Sequence, residues 1–147
     1  MSEATEASQE YLFNTEVLDE SQQLSALSCV VQFLRSIGVS QVFAEFGFVL
    51  QRDLEGERQG QDIVVPLEEF QGFVERGLLE GTIEWCGNSD FLFSPVGLEL
   101  NFTLCNDMDL HFSSPEIQLL LELSSAISAL GIKVYNSGRL VEPDGKR

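Results

Sequence analysis

Lysine is almost absent from this 147-residue chain, occurring only as Lys133 and Lys146, and eight basic residues in all face 24 aspartates and glutamates. The formal net charge is −16 and the isoelectric point lies near 4.1. Nucleic-acid backbones and anionic headgroups are bound through lysine and arginine, so neither direct nucleic-acid binding nor membrane binding is expected. A basic protein would be attracted, mainly through faster encounter, although the same charge also serves solubility alone.

Other shortages narrow the field further. Cysteine occurs three times, at the scattered positions Cys29, Cys86 and Cys105. An odd number without CxxC spacing points to neither a disulfide framework nor a zinc site. The three read instead as small hydrophobes in a reducing cytoplasm. Residues 1–10 (MSEATEASQE) carry neither the basic nor the apolar region of a secretory leader. Apolar runs are only a few residues long, against the ~20 needed to span a bilayer. There is no GxxxxGK[ST], no GxGxxG, no G-x-S-x-G elbow and no complete calcium loop. No cofactor is expected, and no residue can be assigned a catalytic role.

What the chain does contain is apolar material: 44% hydrophobic residues, including eleven phenylalanines. That suffices for the core of one domain, since domains cluster near ~100–150 residues. The sequence predicts a loose acidic tail over 1–10, a single α+β domain over 11–141, and a frayed end over 142–147.

Periodicity supplies the elements. Leu24, Leu27, Val30, Val31, Leu34 and Ile37 recur at three- and four-residue steps, predicting a helix over about 20–37. Asp19 or Ser21 would cap it, and Gly38 would end it. A second long helix is expected over about 115–130, with Ser114 and Pro115 at its start and Gly131 at its end. A shorter one over about 67–76 rests on Leu67, Phe70, Phe73 and Val74, with Gly77 and Gly81 closing it. Tyr11–Phe13 reads as an edge strand. Residues 39–52 alternate, and Ile63–Val65 is a short strand stopped by Pro66.

Four further strand-like pieces, Thr82–Cys86, Phe91–Phe93, Leu98–Cys105 and Met108–Ser113, are separated by turn residues and form an antiparallel meander. Ile132–Tyr135 would close the sheet. The expected fold is therefore α+β: a largely antiparallel sheet of about 5–7 short strands with these helices packed on it. Ser21–Gly38 and Ser114–Gly131 have equal length and aligned apolar positions, an internal echo that any two amphipathic helices leading into strands would also show.

Two sets of residues are candidates for function. Asp107, Asp109 and His111 alternate, so on a strand they would share a face, with Cys105 extending the row. Their oxygen and nitrogen donors suit a divalent metal. The plainer reading places Asp107 in the Asn-Asp turn and leaves Asp109 and His111 on a solvated sheet face. Glu68, Glu69 and Glu75 are the acids best placed for joint exposure on one helix. Trp85 with Phe91 and Phe93 suggests either core or a pocket rim, and Phe43, Phe46 and Phe48 suggest either core or a patch for a second protomer.

Three readings of function follow. The first is a non-enzymatic interaction domain whose acidic surface binds a basic partner protein, in the manner of an immunity protein or inhibitor. The second is a small enzyme or a ligand- or metal-binding sensor using the Asp109 and His111 face. The third is a homodimeric housekeeping subunit.

Overall fold

In the computed structural model the described residues are 10–46, 62–81, 83, 91–105 and 107–141. They form eight strands and three helices: β1 (Tyr11–Thr15), α1 (Glu20–Ser36), β2 (Gln41–Phe46), β3 (Asp62–Pro66), α2 (Leu67–Glu80), β4 (Phe91–Pro95), β5 (Asn101–Leu104), β6 (Leu110–Ser114), α3 (Ile117–Ser128), β7 (Val134–Asn136) and β8 (Arg139–Leu140). The strands make one sheet in the order β3-β2-β4-β5-β6-β1-β7-β8, and every pairing is antiparallel. The α+β architecture is as expected, with one more strand than the upper expectation.

Alternation along the strands decides which side the helices cover. Phe93, Phe102, Phe112 and Phe13 stand directly opposite one another across β4, β5, β6 and β1. All four are buried, and Phe93 stacks on Phe102 with ring centroids 4.7 Å apart and planes at 10°. Phe70 of α2 meets Phe93, again at 4.7 Å. Val42, Ala44, Val65, Leu104, Leu110 and Val134 extend this apolar floor. α1 lies against both α2 and α3, and its Leu27, Val30 and Leu34 are fully enclosed, as are Leu120, Leu123 and Ile127 of α3. Each fully buried Leu or Phe contributes about 1.5–3 kcal/mol over an exposed one, so this face dominates stability.

The helix ends follow local chemistry. Asp19 caps α1: its carboxylate accepts from the Gln22 N–H at 2.8 Å, while Gln22 Oε1 accepts from the Asp19 N–H at 2.9 Å. The inward stripe of α1 differs from the expected one, because Leu24 and Ile37 are partly exposed while Gln23 and Ala26 turn inward. α2 runs to Glu80 and ends at Gly81, which is left-handed at φ 88°. Gly77 therefore does not close it. A Cβ on Gly77 would run into Ile83 Cδ1, so the glycine leaves room for the Ile83 side chain to pack against the helix. α3 starts two residues later than expected because Ser114 belongs to β6; its hydroxyl donates to the Glu99 carbonyl and accepts from the Glu116 N–H.

β1 is not an edge strand. It pairs with β6 on one side and β7 on the other, so both rows of its backbone groups are used. The Asn136–Gly138 turn does reverse the chain, and it adds the short edge strand β8. The helix–Gly–strand echo has a structural counterpart: Gly38 and Gly131 are both left-handed, and the three matched apolar pairs from Leu27/Leu120 to Leu34/Ile127 are all buried. Residues 47–61 and the expected Thr82–Cys86 strand, with Phe48, Trp85 and Cys86, fall outside the described residues except for Ile83, which lies in a bend. No helix among the described residues is long and apolar enough to cross a membrane.

Candidate functional site

The side of the sheet turned away from the helices carries the alternate residues of the same strands. Glu45, Leu92, Thr103, His111, Asn14, Tyr135 and Leu140 form one continuous cross-strand row. Beside it, Phe43 sits between Val64 and Ser94. Phe43, Val64 and Leu92 are each 37–45% exposed, and a shallow hollow of ≈ 230 Å³ opens between Phe43, Glu45, Leu92, Ser94 and Asn101. This open face is polar at its centre and apolar toward β3.

The chemistry-bearing cluster lies at the end of that face, on the β5–β6 hairpin. The Cys105 N–H donates to the Asp109 carbonyl at 3.0 Å, and the Met108 N–H donates to the Cys105 carbonyl at 2.9 Å. Cys105 and Asp109 thus close the turn directly opposite each other. Met108 takes φ 74°, a left-handed conformation uncommon outside glycine, and this lets the chain return so tightly. Two outside contacts hold the turn: the Leu18 N–H donates to the Met108 carbonyl at 2.9 Å, and the Leu110 N–H donates to Thr15 Oγ1 at 3.1 Å. His111, one strand step beyond, faces the same side between Thr103 and Asn14.

The register brings three different donors together. One ligand atom each from Cys105, Asp109 and His111 lies within 4.8 Å of the others. His111 Nε2 is 3.2 Å from both carboxylate oxygens of Asp109. Asp109 is only 8% exposed, Cys105 is partly buried, and the His111 side chain keeps 32% of its surface. A carboxylate so enclosed has to be matched by donors or positive charge, and the imidazole supplies one such partner. Asp107 does not join them; it is exposed in the turn, as the plainer reading of the sequence had it, but Asp109 is buried rather than solvated as that reading expected. Asp109 and His111 are brought together as expected. Cys105, read first as a small hydrophobe, completes the set, and the signal for it was the row of alternate positions continued back across the turn.

The acidic candidates occupy a second surface. Glu68, Glu69 and Glu75 are all exposed on α2, and so is Glu80, which the shorter expected helix left out. At 3.6 residues per turn, Glu75, Glu68, Leu79, Gly72, Arg76, Glu69 and Glu80 share an outward arc of about 140°. Leu79, near the middle of this arc, is 86% exposed. Among the described residues none of these four carboxylates is paired with a lysine or arginine; Glu75 accepts from Gln71 Nε2 at 3.0 Å.

A third feature is an open groove of ≈ 680 Å³ between α1 and α3, lined by Ser25, Cys29, Gln32, Phe33, Ala126 and Leu130 among others. Burial pushes the Cys29 thiol above its ordinary pKa, which keeps it protonated and unreactive at neutral pH. The chain matches no protein-family model, no curated protein and no solved structure.

Proposed function

We propose that this protein is a non-enzymatic interaction domain whose acidic surface, centred on the outer face of α2, binds a basic partner protein. The observation that carries the reading is the composition of that face: four carboxylates that pair with no lysine or arginine among the described residues, and one guanidinium, around a leucine that is 86% exposed. Unpaired surface carboxylates add little to a fold, and like charges on one helix face weaken it slightly. An exposed leucine among them offers a partner an apolar contact within the charged arc. The overall charge of −16 would speed encounter with a cationic protein. A reducing compartment such as the cytoplasm suits the half-buried thiol of Cys29.

The test is capture from a native lysate on the immobilised full chain at low ionic strength, with the bound protein identified by mass spectrometry. Its affinity is then measured by calorimetry at rising salt. The expected partner is basic, is released by salt, and loses most of its salt dependence against a Glu68→Gln/Glu69→Gln/Glu75→Gln/Glu80→Gln variant. Equal binding by this variant, or no specific partner at low salt, overturns the reading.

A further inference from the structure

We propose that Cys105, Asp109 and His111 form a three-ligand site for a zinc-class divalent metal, with its fourth coordination position on the side of the sheet turned away from the helices. The proposal is independent of the acidic helix and rests on the β5–β6 hairpin alone.

Spacing within the cluster is the first argument. An ionic hydrogen bond between imidazolium and carboxylate closes to ~2.7–2.9 Å and favours one oxygen. Here Nε2 stands 3.2 Å from both oxygens of Asp109. With metal–nitrogen and metal–oxygen bonds of ~2.0–2.2 Å, the edge between two ligands of a tetrahedral zinc ion is about 3.3 Å. The pair is therefore already at chelating separation. The edge to a thiolate at ~2.3 Å from the metal is about 3.6 Å, so Cys105 Sγ has to close by no more than about 1.2 Å from its 4.8 Å limit.

Donor chemistry is the second argument. Thiolate, imidazole and carboxylate together suit Zn²⁺, and Co²⁺ as its spectroscopic stand-in, whereas Mg²⁺ and Ca²⁺ take oxygen alone. Three protein ligands are the number found where zinc keeps an open position for water or substrate. His111 is the most exposed of the three, which places that opening on the solvent side between Thr103 and Asn14.

Preorganisation is the third. The ligands sit on a turn closed by two internal hydrogen bonds and tethered by two more from the segment Thr15–Leu18. The loop entropy of assembling them has thus already been spent in folding, as designed and natural metal sites require. The absence of CxxC spacing is no obstacle, because hairpin register rather than a short sequence interval gathers the donors.

The experiment titrates Co²⁺ into the reduced, chelator-treated full chain and follows absorption, with Zn²⁺ then displacing it. The expected result is one Co²⁺ per chain, with tetrahedral d–d bands in the red and a thiolate-to-cobalt charge-transfer band in the near ultraviolet. Cys105→Ser abolishes the charge-transfer band, while Cys29→Ser and Cys86→Ser retain it. Asp109→Asn and His111→Ala weaken binding by more than the ~10–100-fold that losing an outer-shell contact costs, and Asp107→Asn leaves it unchanged. Circular dichroism of each variant separates ligand loss from unfolding, and Asp109→Asn preserves the shape of the side chain. No stoichiometric binding overturns the proposal. So does a charge-transfer band that survives in folded Cys105→Ser, or binding that is unaffected by Asp109→Asn and His111→Ala.

Discussion

The two faces of the sheet are written in alternate residues of the same strands, and they have been put to opposite uses. On the helix side Phe93, Phe102, Phe112 and Phe13 run in register across four strands and are shut away from water. One residue along each strand, Leu92, Thr103, His111 and Asn14 run parallel to them on the open side. Both rows are equally well fixed by backbone pairing. The first row is buried, whereas Leu92, Thr103, His111 and Asn14 keep part of their surface, so the second can carry polar side chains at defined positions, and the metal-binding geometry proposed above stands on it.

The contrast is broken most severely by truncating the phenylalanine row. Phe102→Ala is expected to cost about 3–5 kcal/mol through lost burial and the cavity left behind. Thr103→Ala, its neighbour on the open face, should stay within about 0.5 kcal/mol. Urea denaturation of the two variants compares the faces at adjacent positions; similar losses would mean that the open face is covered.

The same opposition can be sharpened within α2. Gly77→Ala drives a methyl group into Ile83 and should destabilise by about 1–3 kcal/mol, and the Gly77→Ala/Ile83→Ala pair should lose less than the sum of the two single changes. Gly72 lies on the outward arc, where an added Cβ meets only Arg76 Nη1 at 3.6 Å. Gly72→Ala should therefore stabilise, by roughly 0.5–1 kcal/mol, because it removes chain entropy from an exposed helix position. Thermal melts of the pair should move in opposite directions.

Smaller effects are expected at the helix margins. Asp19→Ala removes the carboxylate arm of the capping box of α1, while the backbone N–H at that position can still donate to Gln22 Oε1, and should cost about 1 kcal/mol in the same assay. The Cys29 effect is smaller still and depends on pH. Burial raises its pKa in the folded chain, so above the ordinary thiol range the unfolded chain holds fewer protons than the folded one. Its contribution is nil at neutral pH, and stability falls as pH rises from that range toward the folded pKa. A Cys29→Ser variant should show a shallower decline in urea midpoint at alkaline pH than the parent chain.

Much of this arrangement can be read from residue order, and the exceptions have physical reasons. α1 and α3 announce themselves because Leu27, Val30 and Leu34, and likewise Leu120, Leu123 and Ile127, recur at helical spacing. Gly77 misleads because a glycine that ends a helix and one that admits a neighbouring side chain look identical in sequence. The central place of β1 is hidden because its partners lie far along the chain. At the candidate site, Asp109 and His111 are two residues apart and so were legible as one face. Asp107 breaks that pattern because Met108 takes a left-handed conformation and throws the turn outward. Cys105 joins only through hairpin register, which depends on where the turn falls.

The position of β1 also sets an order of assembly in time. Leu12 is paired with Ser113, and Phe13 with Asn136, so a strand made early finds its neighbours only after more than 100 further residues have been synthesised. At ~5–20 residues per second that interval lasts from several seconds to some twenty. Late in it, once Leu104 has been made, the β3-β2-β4-β5 half of the sheet can assemble while the slot between β6 and β7 does not yet exist. Ribosome-held chains with residues up to 105 exposed should accordingly show protease protection at β2 and β4 and none at Tyr11–Thr15. Equal protection of both would mean that β1 finds a temporary partner. The first strand made has to wait for neighbours that are among the last made.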